Sequence, residues 1–160
     1  FPDKLLTKIS DSWASRAETL GPKTSAPNVI QVRTLIKDTD EEAFAVAKHL
    51  YPKGFEAQHA HYVPDANPWE GIDEYQSFER AFAGLEKLKD PANIMPFVES
   101  QAVGTPARVA KRLQEYIDLG FDYVVVHATF PDFPQQERRE TYTRFAKEVA
   151  PMLTDNMRAR

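Results

Sequence analysis

The best candidates for chemistry in this sequence are a histidine that ends one apolar run and an arginine inside another. His127 follows the run "YVVV", and an imidazole, whose unperturbed pKa lies near neutrality, can hydrogen-bond a ligand or transfer a proton. Arg33 lies in "NVIQVRTLI", where a period of two places it on one face with Gln31 and Leu35. Two interpretations stay open for each residue. Arg33 either contacts a ligand or forms a structural ion pair, and His127 either faces a site or satisfies its ring nitrogens with backbone groups.

A second pair of histidines occurs in "QHAHY". His59 and His61 resemble a pair of metal ligands, but the nearby acids Glu56 and Asp65 make no recognised ligand spacing. We therefore predict no metal site. The six glycines are scattered and form neither a dinucleotide-binding nor a phosphate-binding loop.

Composition excludes several classes of function. The chain has 160 residues, a net charge of −4 and no dense basic run, so we expect no nucleic-acid partner. The absence of cysteine excludes disulfides, thiolate catalysis and zinc–cysteine sites. No apolar run approaches the ~18 residues of a membrane span and the start is not a signal peptide, so we expect no membrane association and a cytoplasmic location. The opening "FPDKLL" lacks an initiator methionine, which indicates part of a larger or processed protein.

The elements that must position these residues alternate between helix and strand. The predicted order is a helix over 3–20, a strand over 28–36, a helix starting near Thr39, an irregular segment over 51–71, a helix over about 72–89, a helix starting at Thr105, a strand over 122–130 and a helix over about 135–153. Thr105 is a plausible N-cap, Pro106 suits the first helical position and Gly120 suits a left-handed C-cap. The strand "DYVVVHATF" hardly alternates, so both of its faces should be covered. This order predicts an α/β fold with parallel strands and crossover helices.

Three stretches resemble the C-terminal part of the bacterial luciferase-like, flavin-dependent oxidoreductases. They are "DTDEEAFAVAKHL" after a strand, "VGTPARVAKRLQEYIDLGFDYVVVH", and the closing "FAKEVAPML". The resemblance implies the C-terminal portion of a (β/α)8 TIM barrel, since a complete barrel takes about 250 residues. The expected single partial-barrel domain, 1–160, consists of helix–strand–helix over 1–50, an insertion with one helix over 51–100, helix–strand–helix over 101–154, and a tail over 155–160.

The resemblance also implies a cofactor and a site. Members bind reduced FMN, or a deazaflavin, at the carboxyl ends of the barrel strands. Gln31 and Arg33 would then face the lumen and contact the cofactor, while Arg33 and His127 would be the catalytic candidates. The expected substrate pocket is formed by the strand's end and a lid from the insertion, namely Thr129, Phe130, His59, His61, Tyr62 and Trp69.

The expected activity is oxidation of a small organic substrate with reduced FMN and O2, with a separate flavin reductase as a possible partner. Deazaflavin-dependent hydride transfer is equally compatible with these residues. A third alternative is a catalytically inert half-barrel that serves as a binding or oligomerisation module. Because two predicted strands are too few to cover the helices, we expect a homodimer or pairing with a missing N-terminal part of the barrel.

Overall fold

Three parallel strands form the centre of the fold. The computed structural model describes residues 3–20, 27–62, 71–72, 83–129 and 133–154. The elements are α1 Asp3–Leu20, β1 Val29–Ile36, α2 Asp40–Tyr62, α3 over 83–88, α4 Met95–Glu99, β2 Ala102–Gly104, α5 Pro106–Asp118, β3 Tyr123–His127 and α6 Gln135–Arg144. A π-helical turn, Phe145–Val149, and a 3-10 turn, Ala150–Met152, follow α6. None of the described helices is long and apolar enough to cross a membrane.

The strand order is β2-β1-β3, and the prediction of parallel strands is confirmed. β3 pairs with the first part of β1, from Val29 to Arg33, whereas β2 pairs with its end, from Thr34 to Ile36. In a barrel wall each strand lies beside its predecessor and successor, but here the first strand lies between the other two. This order is that of the first three strands in one common type of doubly wound sheet. β2, only three residues long, was not predicted.

Helices pack against both faces of the sheet. One face packs against α1, α5 and the π-helical turn, and we call it the closed face. Its buried residues are Leu6, Ile30, Val32, Ile36, Ala102, Val109, Ala110, Leu113, Tyr116, Phe121 and Val149. The other face packs against α2 and α4, and its buried residues are Leu35, Ala43, Ala47, Tyr51, Phe55, Ile94, Val98, Val103 and Phe133.

Helix α2 continues through a proline, so the predicted irregular segment is wrong for residues 51–62. Pro52 removes one backbone hydrogen bond and costs about 3 kcal/mol inside a helix. Tyr51 and Phe55 on either side of it are fully or almost fully buried against the sheet. Burial of two aromatic side chains offsets that cost, since each contributes roughly 1.5–3 kcal/mol.

The segment around α5 follows its sequence signals closely. The Thr105 side chain accepts a hydrogen bond from the Arg108 N–H, Pro106 occupies the first helical position, and Gly120 has a φ of 89°. Thr39 and Glu42 have the spacing of a capping box, and the Glu42 N–H donates to the Thr39 hydroxyl at 3.1 Å. These local predictions are confirmed.

Two predictions near the end of the chain are wrong. One face of β3 is open, with Tyr123 61% and Val125 46% exposed, because no described helix reaches that part of the sheet. Helical spacing in the final helix predicts an inward face of Tyr142, Phe145, Val149 and Met152; Val149 is buried, but Tyr142 and Met152 are 41% and 53% exposed. The α-helix ends at Arg144, and the π-helical turn that follows shifts the buried face.

Candidate functional site

Gln31, Arg33 and His127 lie together on the sheet face opposite the closed face. Arg33 and His127 are direct partners across the β1–β3 pair, and Gln31 is the diagonal neighbour of His127. The Gln31 Nε2 lies 2.7 Å from the His127 Nδ1. The predicted alternation of β1 is confirmed, with Ile30 and Val32 buried on the closed face. We call these three polar residues the strand cluster.

The guanidinium of Arg33 lies against two aromatic rings. Its central carbon is 4.7 Å from the centre of the Phe55 ring and 5.6 Å from that of Phe97, and one of its nitrogens lies 3.4 Å from the Gln58 amide oxygen. Burial lowers the pKa of Arg33 to about 10, against a small opposing effect of Tyr51. Arg33 therefore stays cationic at neutral pH. Instead of an open lumen, α2 and α4 cover this side chain.

The backbone of Arg33 is held as firmly as its side chain. The Gln101 side-chain oxygen accepts a hydrogen bond from the Arg33 N–H at 3.1 Å, just before β2 begins to pair with β1. Sequence reasoning missed Phe55, Gln58, Phe97 and Gln101 as parts of the site. The only available signal was the aromatic content of the segment after residue 50, because helical spacing there is obscured by Pro52.

His127 is half-buried and favours its neutral form. Burial, together with the positive charge of Arg33, lowers its pKa below the ordinary value of 6.5. Since an amide nitrogen donates, the Gln31 Nε2 gives a hydrogen to the His127 Nδ1, and the ring proton lies on Nε2. In this tautomer His127 is a hydrogen-bond donor at Nε2. The strand cluster thus combines a fixed cation with a neutral N–H donor, which suits recognition of an anionic or carbonyl group.

Of the remaining predicted pocket residues, the structure describes the side chains of Thr129, His59 and His61. Thr129 is exposed, and its hydroxyl lies 3.4 Å from the Tyr142 hydroxyl, whose oxygen also accepts the Ala128 N–H. Phe130 and Trp69 fall outside the described residues, and the side chain of Tyr62, the last residue of α2, is not described either.

His59 and His61 lie on helix α2, so the predicted loop is wrong at these positions. Two residues apart on a helix, they point about 200° away from each other and cannot share one metal ion. His59 instead pairs with Glu86 of α3 at 2.8 Å. Among the residues that the structure describes, no group of three or more potential ligands is placed to hold a metal.

Lys37 follows β1 and is only 6% exposed, which would make it a candidate base. Its Nζ lies 2.9 Å from Glu137 and 3.1 Å from Glu140, both on α6. Burial acts to lower the pKa of Lys37, but the two carboxylates outweigh it and raise the pKa above 10.5. Lys37 is therefore a permanent cation that attaches α6 to the sheet.

An apolar surface adjoins the strand cluster. Val29, Tyr123 and Val125 are 51%, 61% and 46% exposed, and they share the face of Gln31 on β1 and β3. α2 covers the carboxyl half of this face but leaves its amino half open. We call these three residues the open patch. Parallel sheets normally have both faces covered.

No protein-family model matches the sequence, and no curated protein is significantly similar to it.

Proposed function

We propose that the chain is part of a flavin-dependent oxidoreductase of the luciferase-like type, which oxidises an organic substrate with reduced FMN and O2. The observation that carries the proposal is the strand cluster: Gln31, Arg33 and His127 occupy one sheet face, in direct or diagonal contact across β1 and β3. The sequence resemblance described above supplies the chemical class.

The cluster fits a flavin in charge and polarity. Arg33 offers a planar cation for a phosphate or an electron-rich ring edge, and His127 offers the Nε2–H to a carbonyl oxygen. Gln31 contacts His127 and fixes its tautomer, and its role toward the cofactor is therefore indirect. When bound, reduced FMN would supply electrons to O2, which is the oxidant of the organic substrate. The protein's part is to orient the cofactor and to hold the donor proton at Nε2.

The open patch supports the proposal of a larger assembly. Val29, Tyr123 and Val125 need a covering layer, which a second copy or further strands of the barrel would provide. The strand order β2-β1-β3 is the feature that opposes a barrel, because a barrel wall would place β2 between the other two strands. The cofactor part of the proposal depends on the strand cluster and not on barrel closure.

The inert half-barrel is the second candidate, and a specific observation favours it. Arg33 is covered by Phe55 and Phe97, so the cation is less accessible than a lumen residue would be. On this alternative the cluster is structural and the open patch is an assembly surface. Deazaflavin-dependent hydride transfer would use the same three residues. The two activities differ in the cofactor that the protein binds.

Anaerobic titration of the complete protein with reduced FMN tests the site. We expect His127→Gln and Arg33→Lys to weaken binding about tenfold or more, since charge-assisted hydrogen bonds contribute about 1.5–3 kcal/mol. Arg139→Lys, an exposed position on α6, is the matched control. Equal affinity of both site variants and wild type, or absence of any flavin binding, would favour the inert module. A parallel titration with reduced deazaflavin identifies the cofactor.

A further inference from the structure

A separate cleft lies on the outer side of α2. Its volume is about 490 Å³, within the range of small-molecule sites, and it is lined by α2 together with Lys89 and Pro91 after α3. The α2 residues of the lining are spaced three, four or one apart, which places them on one face of the helix. They are Ala45, Lys48, His49, Pro52, Lys53 and Glu56.

This face is not the one that contacts Arg33. Tyr51, Phe55 and Gln58 point toward the sheet, whereas Lys48, Lys53 and Glu56 are exposed. Helical geometry separates the centres of the two faces by roughly 120°. The cleft is therefore distinct from the strand cluster, and its ligand does not depend on the proposed function.

The cleft combines an apolar floor with a cationic rim. Ala45, Pro52 and Pro91 offer carbon surface, while Lys48 and Lys53 offer ammonium groups from one side. Lys89 faces them from the segment after α3, where its Nζ is held 2.7 Å from Glu86.

The charges around the cleft leave an excess of cations. Lys48, Lys53 and Lys89 face one lining carboxylate, Glu56, and Glu86 behind Lys89. His49, which also lines the cleft, lies beside Lys53, with its Nε2 3.5 Å from the Lys53 Nζ. Because Glu86 neutralises Lys89 and Glu56 offsets one of the other two lysines, these described residues leave one net positive charge at Lys48 and Lys53.

We propose that this cleft binds a small organic anion with an apolar body and a carboxylate or phosphate head. The apolar body would lie on Pro52 and Pro91, and the head would lie between Lys48 and Lys53. Lysine binds such groups as a point charge on a flexible stem, so the cleft accepts either head without demanding the bidentate geometry that arginine imposes.

The test is a titration of 15N-labelled protein followed by NMR. The probes are phenyl phosphate and phenylacetate, with inorganic phosphate as the head alone and benzyl alcohol as the body alone. We expect saturable shifts of the amide signals of Lys48, His49 and Lys53 with at least one of the two whole anions. Binding of both part-probes should be at least tenfold weaker, because each lacks one half of the interaction.

The variant Lys48→Gln/Lys53→Gln should weaken binding of the whole anion about threefold to tenfold, since each exposed charge contact contributes up to about 1 kcal/mol. Glutamine keeps the helical propensity of lysine. Lys111→Gln/Lys147→Gln, two exposed lysines outside the cleft, is the matched control and should bind like wild type. The proposal is overturned if neither whole anion produces saturable shifts, if benzyl alcohol or inorganic phosphate binds as tightly, or if the cleft variant retains full affinity.

Discussion

The two faces of the sheet are built from the same strands but differ in how far they are covered. The closed face is apolar along its length and is packed against α1, α5 and the π-helical turn. On the opposite face, α2 and α4 cover only the carboxyl half, and the amino half presents the open patch beside the strand cluster. Alternate residues of β1 therefore serve two different purposes.

This difference separates residues that stabilise the fold from residues that are available for contacts. Ile30 and Val32 are buried within the apolar cluster of the closed face. Gln31 and Arg33, one position away along the same strand, make side-chain hydrogen bonds to His127 and Gln58. A period of two is sufficient to place both sets on eight residues of backbone.

The largest expected change in the free energy of unfolding comes from a substitution at the closed face. Leu113→Ala removes a side chain that is 1% exposed and leaves a cavity, which should lower the free energy of unfolding by about 2–5 kcal/mol. Urea denaturation followed by circular dichroism measures the change. The matched control on the open patch, Val125→Thr, should stay within about 0.5 kcal/mol of wild type. Equal losses in the two variants would show that the open patch is buried in solution, by a second copy or another segment.

The next effect concerns the attachment of α6 to the sheet. Lys37→Met leaves Glu137 and Glu140 beside each other without a cation, and we expect a loss of about 1.5–3 kcal/mol in urea denaturation at pH 7. In wild type, the raised pKa of Lys37 means that this stabilisation is fully present below pH 10.5 and lost only above it. Adding Glu137→Gln and Glu140→Gln to the variant should recover most of the stability, and failure to recover would contradict the ion-pair interpretation.

The smallest effect is a pH dependence from the strand cluster. The pKa of His127 is lowered below 6.5 in the folded protein, so the unfolded chain takes up the proton first and stability falls as pH drops below 6.5. His127→Gln should therefore lose less stability than wild type between pH 7.5 and pH 5, as measured by the urea midpoint. The effect is smaller than that of Lys37 because His127 is only half-buried.

Local signals predicted a large part of this fold. The bounds of α1, the cap of α5 at Thr105, the left-handed Gly120 and the alternation of β1 all follow from short-range chemistry. Gln31 and Arg33 could be placed on one face because a strand's period is fixed, whereas the pairing of Arg33 with His127 comes from the structure.

Long-range packing determined what the sequence could not predict. Pro52 normally ends a helix, and only the burial of Tyr51 and Phe55 against distant residues keeps α2 intact. β2 is three residues long, too short for any period to be recognised. The exposure of β3 was missed because an apolar run looks the same whether its second face meets a helix or solvent.

The pairing of β1 with β3 has a consequence for the synthesis of the chain. Asn28 and Asp122, whose hydrogen bond opens that pairing, are 94 residues apart. At typical translation rates the ribosome needs on the order of ten seconds to deliver the second strand. During that interval β1 has an unpaired edge and unburied valine and isoleucine side chains, which is the kind of nascent segment that chaperones bind.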